Sequence, residues 1–128
     1  MIPRIEVIGV TGIPEVTPGT RLGPLIVEAA RRQRTPLATG DVVVVTQKIV
    51  SKAEGRLVDL RTVEPSPFAT AFAAASGKDP RLVELVLRES RAIVRMDASR
   101  GILITETHHG FVCANAAIDA SNVPGEHM

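Results

Sequence analysis

The 128-residue chain is 45% apolar and 23% charged, with a formal net charge of +1. That balance belongs to an ordinary folded domain, long enough to bury about two-thirds of the surface its unfolded chain exposes. It excludes a strong electrostatic case for nucleic acid or an anionic membrane, and with no Trp, no Tyr and three Phe there is no base-stacking platform.

The lone cysteine, Cys113, excludes an internal disulfide framework and suits a reducing compartment. Residues 1–10 lack a basic segment followed by a long apolar stretch, so no signal peptide is expected. The longest unbroken apolar run, Ala71–Ala75, is far too short to span a bilayer. A cytoplasmic location is the resulting expectation.

In chain order, Ile5–Val10 is the first predicted strand. Gly12, Pro14, Pro18 and Gly19 then break the chain into a loop. A helix is predicted from Arg21 to Arg32, capped by Thr20. Its buried face is Leu22, Leu25, Ile26, Ala29 and Ala30, and Arg31, Arg32 and Arg34 suit the dipole at its end. Gly40-Asp41 turns into Val42–Thr46, whose four consecutive valines predict a strand buried on both faces at the centre of a sheet.

Pro65-Ser66-Pro67 marks another turn before a helix over Phe68–Ala75, which Gly77 stops. Asp79-Pro80 starts a further helix ending near Arg91, with Leu82, Val83, Leu85 and Val86 on its buried face. Three strands follow, Ala92–Met96, Ile102–Thr107 and Phe111–Ala114, and then a polar turn from Asn115. The pattern is α/β or α+β, with a mixed β-sheet and flanking helices in one domain.

The familiar nucleotide and metal motifs are absent. Three segments carry candidate chemistry. The first, Thr46–Gly55, leaves the end of the predicted central strand, where α/β proteins place ligands. Gln47, Lys48, Ser51 and Lys52 within it suit phosphate oxygens. The plainer reading is a solvated strand end.

In the second segment, Asn115–Asn122, Asp119 is a candidate ligand for a hard divalent cation, and Asn122 is placed for a base or ribose. The plainer reading is a turn bonding its own backbone. The third, Gly12–Val16, either frames a planar base or merely connects two elements. His108 and His109 point to opposite faces of a strand, which argues against one shared ion. Cys113 reads as a small hydrophobe in an apolar strand.

Taken together, V-V-V-V-T-Q-K-I-V-S-K-A-E-G at 42–55 and F-V-C-A-N-A-A-I-D-A-S-N-V at 111–123 resemble the coenzyme F420-0:γ-glutamyl ligase family. So do Gly77–Glu84 and Glu89-Ser90 between them. Ala117 departs from the pattern, since the family commonly has Gly there. The resemblance implies that Ile13, Pro14, Glu15 and Val16 contact GTP, and that Gln47, Lys48 and Lys52 sit near its base, sugar or phosphates. It further implies that Asp119 binds Mg²⁺ or Mn²⁺, with K⁺ as a further ion, and that Asn122 contacts the nucleotide.

The implied reaction is GTP-dependent addition of L-glutamate to coenzyme F420-0 through an acyl phosphate, in a homodimer. Family members are about twice this length, so the resemblance implies an N-terminal half, inactive alone, with Lys52 and Asp119 serving one phosphate–cation pocket. The alternative is a non-catalytic nucleotide-binding or assembly module that pairs with a separate second half.

Overall fold

Leu22, Leu25, Ile26, Ala29 and Ala30 recur at helical spacing, and in the computed structural model, which describes residues 2–119, they fold into α1, Leu22–Arg32. Ala29 and Ala30 are its buried positions. Thr20 does not cap this helix. Arg21 stands at the cap position without a side-chain bond, while the Thr20 hydroxyl donates to the Thr17 carbonyl at 2.7 Å and closes the preceding turn. A local turn satisfies the hydroxyl first, and Pro24 removes one of the N–H donors that a cap would serve.

Helix α2 covers Gln47–Ala53, where the sequence reading expects the polar exit of a buried strand. The strand before it is not there either. Residues 42–46 carry no ladder, and Val42 and Val44 are 86% and 89% exposed. Residues 5–10 are likewise unpaired, with Ile5 and Val7 exposed. A strand must satisfy its N–H and C=O groups as well as bury side chains, and among the described residues no strand lies beside either run.

The later part of the chain follows its sequence signals closely. Helix α3, Pro67–Ser76, begins at Ser66, whose Oγ accepts the Ala69 N–H at 3.3 Å; Gly77 ends it with φ 71°. Helix α4, Pro80–Arg88, begins at Asp79, whose Oδ1 accepts the Arg81 N–H at 2.8 Å. Pro67 and Pro80 each open a helix, where a missing N–H costs nothing. Helix α4 stops short of Arg91 because Ser90 and Arg91 belong to β1, Ser90–Asp97. Strands β2, Ile102–Thr107, and β3, Val112–Ala114, complete a three-stranded sheet in the order β1-β2-β3.

Both pairings are antiparallel, with Ile93, Thr105 and Cys113 in register. The fold class is α+β, and the parallel pairing that a mixed sheet needs is absent among the described residues. Ala69, Phe72 and Ala73 of α3, Val83 and Val86 of α4 and Leu103 of β2 form the main core. Leu60, Val63 and Leu85 form a second cluster, and Ile118 packs against both. The chain divides into two units, Met1–Arg56 and Leu57–Met128. No helix among the described residues is long and apolar enough to cross a membrane.

Candidate functional site

In the first unit the candidate loop is fastened at both ends. Gln33, at the end of α1, accepts the Thr11 N–H on Oε1 at 2.8 Å and donates from Nε2 to the Gly9 carbonyl at 3.2 Å. Beyond the loop, the Gly19 N–H donates to the Ala53 carbonyl of α2 at 2.8 Å. Between these anchors, Val10, Ile13, Pro14, Glu15 and Val16 face Ile49 and Lys52 of α2 across a cleft of about 260 Å³. Ile49 and Lys52 stand three residues apart, so one helical face presents both.

The lining of the cleft is mostly apolar, and its charged residues are Glu15 and Lys52. Lys52 Nζ donates to Glu15 Oε1 at 2.6 Å, across a sequence separation of 37. The Lys52 side chain is 22% exposed and that of Glu15 77%. An ion pair open to water on one side contributes only about 0–1 kcal/mol. Ligand pockets usually run from about 300 to 1,000 Å³, so this cleft is smaller than a typical one. Gln47 and Lys48 share α2 but do not line the cleft; Gln47 Nε2 donates to Ser51 Oγ at 3.2 Å.

In the second unit, β3 runs into a left-handed turn at Asn115–Ala117. The Ile118 N–H closes it on the Asn115 carbonyl at 2.9 Å, and exposed Asp119 follows. Lys78, between α3 and α4, donates to Asn115 Oδ1 at 2.9 Å. Asn122 lies outside the described residues. His108 and His109 are exposed at the turn between β2 and β3, and Cys113 is half-buried on β3.

Among the described residues, no group of three or more His, Cys, Asp or Glu is arranged to hold a metal ion. Asp119 offers one carboxylate, and a hard divalent cation needs about six oxygens. The described residues therefore do not build a cation cage of their own.

Of the residues predicted for GTP, the structure brings Ile13, Pro14, Glu15, Val16 and Lys52 together. Sequence reasoning missed Val10 and Ile49. The helical spacing of Ile49 to Lys52 was the available signal, hidden by reading residues 47–55 as a strand exit. Nothing in the sequence signals the link between Lys78 and Asn115.

A profile of the family described as F420-0:gamma-glutamyl ligase matches residues 11–128. The coenzyme F420:L-glutamate ligase of Methanothermobacter thermautotrophicus is 46% identical over 119 residues, covering 93% of this chain and 46% of the relative. That of Methanopyrus kandleri is 45% identical over 123 residues, covering 96% and 46%. That of Halorubrum lacusprofundi is 41% identical over 126 residues, covering 94% and 47%. The chain thus spans about half the length of the curated relatives it matches. With this profile match and these identities, the chain belongs to the F420-0:gamma-glutamyl ligase family.

Proposed function

We propose that this chain supplies the nucleotide-holding part of a ligase that adds L-glutamate to coenzyme F420-0 in F420 biosynthesis. GTP transfers its γ-phosphoryl group to the terminal carboxylate of F420-0, giving an acyl phosphate and GDP. The α-amine of L-glutamate then attacks the acyl carbon, the C–N bond forms and inorganic phosphate leaves. A carboxylate is a poor electrophile until one oxygen becomes a good leaving group, which is why a nucleotide is consumed.

The observation that carries this reading is the cleft in which the Ile13–Val16 loop and Lys52 meet. Its apolar lining residues suit a base or sugar, and the Lys52 ammonium suits a phosphate oxygen. The ion pair of Lys52 with the Glu15 carboxylate supports a reading in which a phosphate oxygen takes the place of that carboxylate. Asp119 is proposed to give one oxygen to a Mg²⁺ or Mn²⁺ ion, which when bound offsets charge on the phosphoryl group. Phosphate oxygens and water would be further ligands of that ion.

Calorimetric titration of the chain with GTP and Mg²⁺ tests the reading. Binding is expected, and Lys52→Ala should weaken it at least tenfold, since a charge-assisted bond contributes about 1.5–3 kcal/mol. Binding indifferent to Lys52 would refute it. The chain alone is expected to show no glutamate addition.

The apolar runs at Ile5–Ile8 and Val42–Val45, exposed on unpaired backbone, favour a companion reading in which this chain assembles with a second polypeptide or a second copy of itself. Sedimentation distinguishes the cases: self-association indicates a homodimer, and a stable monomer at high concentration removes it.

A further inference from the structure

Asn115, Ala116 and Ala117 carry φ values of 51°, 49° and 59° in succession. A Cβ makes the left-handed region unfavourable, and of these residue types only Asn visits it routinely, usually singly. A run of three persists only when its surroundings over-determine it. Ala116 and Ile118 pack against the core of Phe72, Val83 and Leu103, and the Ile118 N–H closes the turn. A further restraint comes from Lys78, whose ammonium donates to Asn115 Oδ1 at 2.9 Å.

The path of that side chain is shaped. Gly77 takes φ 71° immediately before Lys78. Gly101 leaves room for the stem, because a Cβ there would stand 3.3 Å from Lys78 Cε and 3.7 Å from the Ser76 carbonyl. Gly77-Lys78-Asp79-Pro80 therefore does more than join two helices.

We propose that Lys78 is a positioning residue, whose bond to Asn115 holds the left-handed turn and with it the direction in which Asp119 leaves the fold. The functional meaning rests on the role proposed above for Asp119; the geometry does not. A hydrogen bond from an ammonium is about twice as strong as one between neutral groups, which suits it to holding a strained backbone.

Lys78→Met keeps the stem and removes the charge. Amide exchange of Ile118 in the 128-residue chain is expected to rise about tenfold. Exchange at Glu89, whose N–H bonds the Leu85 carbonyl at 3.0 Å, should stay as in the parent. Adding Ala117→Gly should restore slow exchange at Ile118, because glycine holds a positive φ without steric cost.

Asn115→Asp keeps an acceptor and tolerates the turn, so it should behave as the parent, whereas Asn115→Ala should reproduce Lys78→Met. Equal acceleration at Glu89 with no rescue by Ala117→Gly, or unchanged protection at Ile118, would overturn the proposal. Mn²⁺ broadening of the Asp119 amide reads the functional role separately. Broadening in the parent that Lys78→Met loses supports both claims. No broadening in the parent removes the metal role of Asp119, while the exchange data still decide the role of Lys78.

Discussion

Residues 57–119 and residues 2–56 use similar apolar material to different effect. In the later region each strand has a hydrogen-bonded neighbour, and Leu103 of β2 is 2% exposed among Phe72, Val83 and Val86. In the earlier region the most apolar run of the chain, Val42–Val45, stays outside, and the buried hydrophobic residues are Val16, Ala29 and Ala30. The difference lies in the backbone. Burying an unpaired strand strands its N–H and C=O groups, so side-chain hydrophobicity alone does not build a core.

The largest expected effect tests that contrast. Leu103→Ala should cost about 3 kcal/mol in denaturant unfolding, within the range for buried Leu-to-Ala changes. Val44→Ala, at an 89% exposed position, should stay within about 0.5 kcal/mol of the parent. Comparable losses at both sites would mean that the valine run is buried in solution, through an assembly or a sheet of its own.

A smaller effect asks how the later region is tied together. Glu84 of α4 accepts the Ser66 N–H on Oε2 at 2.9 Å and pairs with Arg88 Nε at 3.1 Å, so its carboxylate joins the start of α3 to α4. The bond from Ser66 holds its pKa below the ordinary carboxylate value, with Arg88 adding to the effect. Asp79 is lowered in the same way by Arg81.

A folded pKa below the unfolded one means the unfolded chain binds more protons at acid pH. The stabilisation is therefore complete above the unfolded values, about 4. It is lost as pH falls through the lower folded values. Glu84→Gln should cost about 1–2 kcal/mol at neutral pH and flatten the acid limb of the melting curve. An unchanged acid limb would show that Glu84 does not join the two helices.

What the sequence discloses divides along the same line. The helices of residues 57–119 were legible because their boundaries are local chemistry: Asp79 caps and Pro80 opens one and Gly77 closes the other, although Ser66 and Pro67, read as a turn, in fact cap and open that helix. The strands of β1 and β2 were legible because they are neighbours in sequence. The valine run misled because burial on both faces depends on neighbours that a period cannot reveal. The candidate cleft was half legible. The Gly12–Val16 loop and Lys52 stood out by residue type and family pattern, but the bond between Lys52 and Glu15 spans 37 positions. The strain at Asn115–Ala117 had one signal, Ala117 standing where the family commonly has Gly, and nothing local marked Asn115 and Ala116.

The smallest effect sets two helix ends of residues 2–56 side by side. Helix α1 ends with the Arg34 N–H on the Arg31 carbonyl at 3.0 Å and the Thr35 N–H on the Ala30 carbonyl at 3.0 Å. Helix α2 ends with the same pair of bonds, Gly55 to Lys52 at 3.0 Å and Arg56 to Ser51 at 2.8 Å. Both are Schellman closures, and Arg34 and Gly55 share a φ of 67°. Glycine holds that angle freely, whereas arginine carries the cost of a Cβ in the left-handed region.

Arg34→Gly should therefore gain about 1 kcal/mol of relieved strain. It returns part of that through a more flexible unfolded chain and one fewer cation at the dipole, leaving a net gain of about 0.5 kcal/mol. Gly55→Arg carries the opposite sign, with a loss of about 1 kcal/mol, since strain is added where none existed. Thermal unfolding of the two single variants resolves the pair. Equal shifts in the same direction would mean that helix ends in this region are not what holds it.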